Sequence, residues 1–160
     1  MDRVDFIFEN PKYQEYIDKI KQAEEDRIFC LHNMSHFMDV ARIAYNINLE
    51  EGLEISKELI YATALLHDIG RIEQYENGTP HELASAELAP EILTEIGFGE
   101  QEQEEILRAI REHRNKDIAK EKSLAGIIYR ADKLSRPCFA CEAESKCDWK
   151  KSKKNMQIIY

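Results

Sequence analysis

The chain lacks long apolar runs, and its basic residues are outnumbered by its acidic ones. No stretch approaches the roughly 18 to 20 apolar residues that span a bilayer, and no basic start precedes an apolar core. The 22 Lys and Arg residues face 31 Asp and Glu residues, which gives a net charge of −9. Binding to nucleic acid or to an anionic membrane depends on clustered basic residues. We therefore expect a cytoplasmic protein with neither partner.

Cysteine is scarce as well, with four residues in the chain. Because the cytosol keeps thiols reduced, these cysteines are expected to be free thiols or metal ligands rather than disulfides. Three lie in the stretch CFACEAESKC, and its CxxC pair suits zinc or an iron-sulfur cluster, although a second CxxC is absent. Two alternatives stay open: free thiols, or a thiolate site formed by Cys30, Cys138, Cys141 and Cys147 if the tail folds back.

No segment shows the sustained alternation of apolar and polar residues that marks strands. Apolar residues instead recur at helical spacing, which predicts an all-α bundle of about six helices. A length of 160 residues fits one domain, since domains usually have roughly 100 to 200 residues. The segment 137–160 differs from the rest, with cysteines, then lysines, then a short apolar end. We expect it to be a C-terminal extension of the single domain.

Apolar spacing and capping residues place the six helices. They are expected at about 11–25, 33–49, 56–70, 79–97, 100–113 and from 123 through 132. The third, LIYATALLHDI, is apolar on nearly every side, as in the centre of a bundle, and Gly70 is expected to end it. Thr79 and Pro80 start the fourth helix, which places His81 in its first turn, and Pro90 is expected to kink it.

Histidine and aspartate side chains interrupt the apolar faces of these helices. Burial of an unpaired carboxylate costs several kcal/mol, so each buried aspartate needs a partner. A lone buried histidine is most simply a core residue with a hydrogen bond. Six such groups together favour a metal site instead, because imidazole and carboxylate bind Fe, Mn and Zn, and a bundle core lets several helices supply ligands. The six are His36, His67, Asp68, His81, His113 and Asp132.

Three motifs resemble those of the HD superfamily of metal-dependent phosphohydrolases. HFMDVARIA from His36 is similar to the first motif, ALLHDIGR to the second, and YRADKLSR to the last. The resemblance covers about 28–136, which it implies is the HD core. It also implies that the first metal is bound by His36, His67, Asp68 and Asp132.

Subfamilies with two metals have two further histidines between the second and last motifs. His81, in HELASAELAPEIL, and His113, in ILRAIREH, stand at the corresponding places. The resemblance therefore implies a site of two ions bridged by Asp68, as in small HD proteins that hydrolyse dinucleoside polyphosphates. Mononuclear relatives can use the equivalent residues to contact phosphate, and with one ion His81 or His113 is a candidate general acid.

Such a site predicts hydrolysis of a phosphate ester or anhydride. A bound ion lowers the pKa of water from 15.7 towards about 7, and two ions also stabilise the phosphoryl group. We expect a small phosphorylated substrate, most plausibly a nucleotide. Candidate catalytic residues are Asp68, Arg71 and Lys133, with Arg111 next. A surface charge or a salt bridge explains Arg71 equally well and explains Lys133 and Arg111 more readily.

Several questions stay open at this stage. The residues do not distinguish among Fe, Mn, Co, Mg and Zn, between one ion and two, or among oligomeric states. His32 lies four residues before His36. We favour a role at the start of that helix, or a contact with one of the metal ligands rather than with the ion. Two other functions remain as alternatives: a diiron HD oxygenase, and a metal-stabilised sensor or adaptor whose cysteine-containing tail binds a partner.

Overall fold

The computed structural model describes residues 1–160 and contains eight α-helices and no strand. The helices are α1 (Asp2–Glu9), α2 (Pro11–Ala23), α3 (Met34–Glu51), α4 (Lys57–Leu66), α5 (Arg71–Asn77), α6 (His81–Ile96), α7 (Glu100–Glu112) and α8 (Leu124–Leu134). One short 3-10 turn lies between α7 and α8 at Lys116–Ile118, and three more follow α8 at Cys138–Ala140, Glu144–Lys146 and Lys151–Lys153. The all-α prediction is confirmed. None of the helices combines the length and the apolar character that crossing a bilayer requires.

Two helices, α1 and α5, were not predicted. Helix α1 buries only Val4 and Ile7, and α5 buries only Ile72, so neither repeats an apolar face over enough turns to give a periodic signal. Asn10 separates α1 from α2 and accepts hydrogen bonds from the backbone N–H groups of Lys12 and Tyr13 at 3.0 and 3.2 Å. This asparagine cap and the following proline explain why a new helix starts there.

Helix α6 begins at His81, one residue later than the predicted start at Pro80, and its cap differs from the predicted Thr79. Pro80 occupies the cap position, and no side chain caps the helix, so Thr79 does not have the predicted role. The helix continues through Pro90 to Ile96, and Gly97 ends it with a left-handed backbone conformation. The histidine at the first helical position thus lies at the end of α6 that is closest to α5.

Helix α4 lies at the centre of the bundle. It packs against α1, α3, α7 and α8 and buries seven of its ten residues. A continuous core of 30 buried apolar residues extends from Val4 to Ala131. Burial of each large aliphatic side chain contributes roughly 1.5 to 3 kcal/mol, so the position of α4 is well fixed. The residues that follow α4 therefore emerge among the helices around it.

The turn after α4 differs from the predicted helix end. Helix α4 ends at Leu66, and residues 67–70 form a turn that leads directly into α5. Gly70 donates its backbone N–H to Ser85 Oγ on α6 at 2.9 Å. A Cβ atom at Gly70 would lie 2.3 Å from the backbone nitrogen of Ser85 and 2.7 Å from Ala84 Cβ. Gly70 is therefore required for the close approach of the turn to α6, not for ending a helix.

The C-terminal segment folds back onto the end of α8. Asn155 Nδ2 donates to the backbone oxygens of Lys133 and Arg136 at 2.7 and 3.0 Å, and its own backbone oxygen accepts from Phe139 N at 2.9 Å. These bonds satisfy carbonyl groups that the end of a helix leaves unpaired. Asn155 thus fixes the last α-helix and the tail to each other.

Candidate metal centre

The chain has five histidines, and the Nε2 atoms of all five face the carboxyl group of Asp68. Asp68 itself is 1% exposed. The distances to Asp68 Oδ2 are 3.8 Å from His32, 3.5 Å from His36 and 3.3 Å from His67, and those to Oδ1 are 3.1 Å from His81 and 3.6 Å from His113. Each carboxylate oxygen therefore faces its own group of imidazoles.

Two groups of three potential ligands have donor atoms that all lie within 4.8 Å of one another. The first comprises His36, His67 and Asp132, and the second comprises Asp68, His81 and His113. Asp132 Oδ1 lies 3.7 Å from His36 Nε2 and 4.0 Å from His67 Nε2. The structure thus brings together all six residues that the sequence singles out as metal ligands.

These six residues come from five separate segments of the bundle. His36 lies in the first turn of α3, and His67 and Asp68 lie in the turn after α4. The other three are the first residue of α6, the residue directly after α7 and a residue in the last turn of α8: His81, His113 and Asp132. The packing of these helices around α4 decides the geometry of the site.

Hydrogen bonds to Nδ1 orient the imidazole rings. His67 and His113 bond through Nδ1 to backbone oxygens, those of Ala64 at 2.7 Å and Ile110 at 2.6 Å. The other three bond to side chains: His81 to Gln74 Oε1 at 2.6 Å, His36 to Ser135 Oγ at 3.3 Å and His32 to the Glu24 carboxylate. Carbonyl and carboxylate oxygens only accept, and the Ser135 hydroxyl already donates to the backbone oxygen of Asp132. Nδ1 therefore carries the hydrogen, and Nε2 presents a lone pair to the site.

The arrangement of these atoms fits a bound cation. Imidazole lone pairs and two carboxylates converge in a buried space, where they repel one another unless a positive charge lies between them. His36 Nε2 and His67 Nε2 are buried and have no hydrogen-bond partner. Leaving a buried polar atom unpaired costs roughly 1 to 3 kcal/mol, so the site is strained without a ligand for these atoms. Imidazole and carboxylate donors suit divalent transition metals.

The two carboxylates remain ionised near neutral pH. Burial alone would raise the pKa of Asp68, but the nearby His67 and Arg71 outweigh it and hold that pKa well below its ordinary value. Burial has the same effect on Asp132, where Lys133 and His67 reverse it and lower the pKa. Both side chains are therefore in the charge state that binds metal.

The imidazoles of the second group are neutral. Burial lowers the pKa of His113 to about 3 and also lowers that of His81, although Asp68 opposes both shifts. For His67 burial acts in the same direction, but the adjacent Asp68 outweighs it and the pKa is raised. A neutral imidazole is the form that binds metal, so His81 and His113 need no deprotonation first.

Two of the predicted basic residues lie beside the site. Arg71 Nε is 3.3 Å from Asp68 Oδ1, and its Nη1 donates to Gln74 Oε1 at 3.4 Å. Lys133 Nζ donates to the backbone oxygen of His113 at 3.0 Å and also contacts Asp132. Arg111, by contrast, is exposed on α7. Arg71 and Lys133 are therefore the cations that the site itself holds.

Three residues that the sequence did not single out as ligands also lie at the site. Glu24 at the end of α2 and Tyr75 on α5 are joined by a hydrogen bond, and Glu24 also contacts His32 Nδ1. His32 precedes the cap of α3, as expected, but its Nε2 also faces Asp68. The only sequence signal for His32 was its distance of four residues from His36 in HNMSH. Glu24 lies in a charged run, which gave no sign of a role at the site.

The cysteines lie apart from these ligand groups. Neither group contains a cysteine, so the structure gives no support to the thiolate metal site considered for Cys30, Cys138, Cys141 and Cys147. All four are free thiols, and Cys30 is exposed. Ile28, two residues before Cys30, lines one surface cavity with Cys141 and Ala143, so the tail does return to the segment before α3.

Comparison with known proteins agrees with this architecture. The family model described as the HD domain matches residues 33–136, about the range of the predicted HD core. The chain belongs to the HD domain family. A crystal structure of a predicted HD superfamily hydrolase from an uncultured Thermotogales bacterium superposes with a TM-score of 0.63 at 26% identity, over 89% of this chain and 81% of that one. This similarity indicates a hydrolase fold.

Three curated relatives are also similar. An uncharacterised protein of Clostridium beijerinckii is 50% identical over 160 residues, the whole of both chains. Ribonuclease Y of Mesoplasma florum is 35% identical over 100 residues, and Ribonuclease Y of Mycoplasma mycoides subsp. mycoides is 30% identical over 102 residues. These alignments cover 62% and 64% of this chain but only 18% of each ribonuclease.

Proposed function

We propose that the protein is a metal-dependent hydrolase of phosphate esters or anhydrides, with a nucleotide or a related small molecule as substrate. The observation that carries this proposal is the position of Asp68, whose two carboxylate oxygens face separate groups of histidines. A carboxylate in this position suits a bridge between two ions. Two divalent ions activate water at neutral pH and neutralise the charge of a phosphoryl group.

The residues divide into two sets of ligands in this proposal. Asp68 would contribute to both sets. The first set is completed by His36, His67 and Asp132, and the second by His81 and His113. Imidazole suits Fe, Zn and similar transition metals, whereas Mg²⁺ prefers oxygen ligands. We therefore expect Mn, Fe, Co or Zn to support activity better than Mg.

Arg71 and Lys133 are the residues that we propose to orient the phosphate. Arg71 is partly exposed at the first position of α5, and its Nε lies 3.3 Å from Asp68 Oδ1. Its guanidinium group can therefore reach a phosphate beside the bridging carboxylate, since Arg binds phosphate through paired N–H donors. Lys133 supplies a second positive charge next to Asp132. Their contribution is electrostatic: they hold the phosphate and offset the charge that develops on the leaving oxygen.

The proposed substrate class is a nucleotide phosphoester or phosphoanhydride. The relatives named Ribonuclease Y act, by their name, on RNA, and their similarity covers 62% and 64% of this chain. The net charge of −9 disfavours a long polyanion. A mononucleotide or a dinucleotide is therefore favoured over a long RNA.

Purified protein tests this proposal directly. Metal content is measured after purification without chelator, and mononucleotides, dinucleoside polyphosphates, cyclic dinucleotides and a short RNA are assayed with Mn, Fe, Co, Mg and Zn. We expect phosphate or nucleotide release by the wild type and a loss of more than about 100-fold, together with loss of metal, in the His67→Ala, Asp68→Ala double variant. The exposed Asp18→Ala variant on α2 is the matched control.

Other results would contradict the proposal in distinct ways. Equal metal content and turnover in the wild type and the double variant would exclude a catalytic role for the site. Oxygen consumption by iron-loaded protein without phosphate release would favour the oxygenase alternative. A folded, metal-bound wild type that turns over no substrate, together with a double variant that loses metal and fold, would favour a structural metal in an adaptor.

A further inference from the structure

We propose that His32 is a further metal ligand of this centre, on the Asp68 Oδ2 side, and that Glu24 and Tyr75 are the residues that position it. This inference rests on the metal centre of the proposed function. It adds a fifth imidazole to a site for which the family motifs supply four. It is supported by the contacts that His32 makes on both sides of its imidazole ring.

The position of His32 Nε2 is compatible with ligation. Donor atoms that share one ion at bond lengths of about 2.1 Å lie roughly 3.0 to 4.2 Å from one another. His32 Nε2 is 3.8 Å from Asp68 Oδ2, and His36 Nε2 is 3.5 Å from the same oxygen. The rings of His32 and His36 stand edge to face with centroids 5.8 Å apart, so both nitrogens approach the oxygen without a clash between the rings.

The opposite side of the ring is held by a buried carboxylate. Glu24 is 5% exposed and His32 is 8% exposed. One Glu24 oxygen accepts from the backbone N–H of His32 at 2.8 Å, and the other contacts His32 Nδ1 and accepts from the Tyr75 hydroxyl at 2.5 Å. Three hydrogen bonds thus compensate the burial of this charge and fix the ring of His32. Helix α2 supplies Glu24 and α5 supplies Tyr75, so two helices determine one side-chain orientation.

The charge state of Glu24 fixes the tautomer of His32. Glu24 accepts hydrogen bonds from the backbone N–H of His32 and from the Tyr75 hydroxyl, and several donors to one carboxylate favour its ionised form. An ionised carboxylate only accepts, which places a hydrogen on His32 Nδ1 and is compatible with a lone pair on Nε2. Histidines that bind metals commonly donate their other N–H to a carboxylate or a carbonyl group, and a carboxylate makes the ring a stronger ligand.

A purely structural role for His32 would require only half of these contacts. Its backbone N–H and Nδ1 are sufficient to fix the loop before α3 to Glu24. Such a role does not require Nε2 to face the oxygen that also faces His36 and His67. The two roles therefore differ in what removal of Nε2 alone should change.

The His32→Asn variant separates them, because the asparagine amide can still donate to Glu24 but no longer offers a nitrogen at the Nε2 position. Chelator-stripped wild type and variant are titrated with Co²⁺ by calorimetry, and the number of imidazoles bound to cobalt is measured by X-ray absorption. We expect His32→Asn to weaken the binding of one cobalt ion at least 10-fold and to lower the imidazole count by one, with an unchanged helical circular dichroism spectrum.

A second variant and the wild type itself provide two further tests of the inference. Glu24→Gln retains an acceptor for Nδ1 but removes the charge, so we expect an unchanged imidazole count and weaker cobalt binding. If His32→Asn does not fold, the wild type still decides: when fully loaded, the two ions carry five imidazoles in total if His32 binds and four if it does not. Wild-type affinity and imidazole count in a folded His32→Asn protein would overturn the inference, as would four imidazoles in the wild type.

These results do not depend on turnover. Cobalt binding that requires His32, in a protein that hydrolyses no phosphate compound, would contradict the proposed function and support this inference. Hydrolysis of a phosphate compound, with cobalt binding that is independent of His32, would support the proposed function and contradict this inference. A wild type that binds no divalent metal would contradict both.

Discussion

At the scale of single residues, the second group of candidate ligands depends on two imidazoles, His81 and His113, that burial keeps neutral. His113 lies directly after α7, is almost completely buried and donates from Nδ1 to the backbone oxygen of Ile110 at 2.6 Å. Protonation of its Nε2 would place a positive charge beside His81 Nε2, only 3.0 Å away. The residue is therefore suited to bind a cation but poorly suited to bind a proton.

The stability of the metal-free protein should depend on pH through His113. Its pKa is about 3 in the fold and about 6.5 in an unfolded chain, so below pH 6.5 the unfolded state takes up a proton that the fold does not. This residue should therefore lower the free energy of unfolding as the pH falls from 6.5 towards 3, by up to about 1.4 kcal/mol per pH unit. Urea unfolding with chelator at pH 7, 6 and 5 should show a shallower fall for His113→Gln.

The comparison of the wild type with His113→Gln isolates the contribution of His113 to the pH dependence. His67 contributes with the opposite sign, because its raised pKa gives stability below its unfolded value that is lost as the pH rises through the folded value. That contribution is present in both the wild type and His113→Gln. Parallel pH profiles for the two proteins would contradict the assignment of a neutral His113.

At the scale of elements, the site depends on the contact between the turn after α4 and helix α6. The turn supplies Asp68, and the first residue of α6 supplies His81. Their side chains lie 3.1 Å apart, and the turn is bonded to α6 through Gly70 and Ser85. Any side chain at Gly70 would force these two segments apart.

Gly70→Ala should therefore affect both stability and metal binding. The added methyl group would meet backbone atoms of α6 that cannot move independently, and overpacking of this kind costs about 1 to 3 kcal/mol. We also expect weaker cobalt binding, because Asp68 and His81 would separate. Urea unfolding and calorimetry measure the two effects.

Gly99→Ala is the matched control for this substitution. Gly99 has a φ of −67°, and its nearest neighbour to an added Cβ atom is Glu102 Oε2 at 3.6 Å, an ordinary contact. We expect nearly unchanged stability and unchanged metal affinity. If Gly70→Ala behaves like Gly99→Ala, the close approach of the turn to α6 is not needed for the site.

At the scale of the whole molecule, the six candidate ligands come from five segments that are otherwise held together by the packing of the bundle. A cation bound among them would stabilise only the folded chain, since the unfolded chain does not bring these side chains together. The metal centre and the bundle are thus expected to be thermodynamically linked.

Divalent metal should raise the melting temperature of the protein. At a free metal concentration 100 times the dissociation constant, binding to the native state alone adds about 2.7 kcal/mol to the free energy of unfolding. Thermal unfolding of chelator-treated protein with increasing Co²⁺ or Mn²⁺ measures the effect. Asp68→Asn should abolish most of it, because both proposed ions share this carboxylate. A melting temperature that does not respond to metal in the wild type would contradict the linkage.

Much of the fold and of the candidate site was predictable from local sequence. The apolar body of α4 and the helical spacing of apolar residues in α3 and α8 predicted these helices, because such signals repeat over several turns. Helices α1 and α5 were missed because each spans about two turns. The end of α4 was placed too late, since Gly70 is needed by α6, a neighbour 15 residues away along the chain.

The sequence by itself determined that this is an all-α protein whose buried faces carry histidines and aspartates, because helical periodicity and residue chemistry are local properties. It also singled out six candidate ligands by type and spacing. Only the tertiary structure decided that all five histidines meet at Asp68. The contact of Glu24 with His32 was likewise hidden, because a charged residue in a charged run carries no signal until helix packing buries it. Long-range packing, which brings distant segments together, decides which of several plausible polar residues share one site.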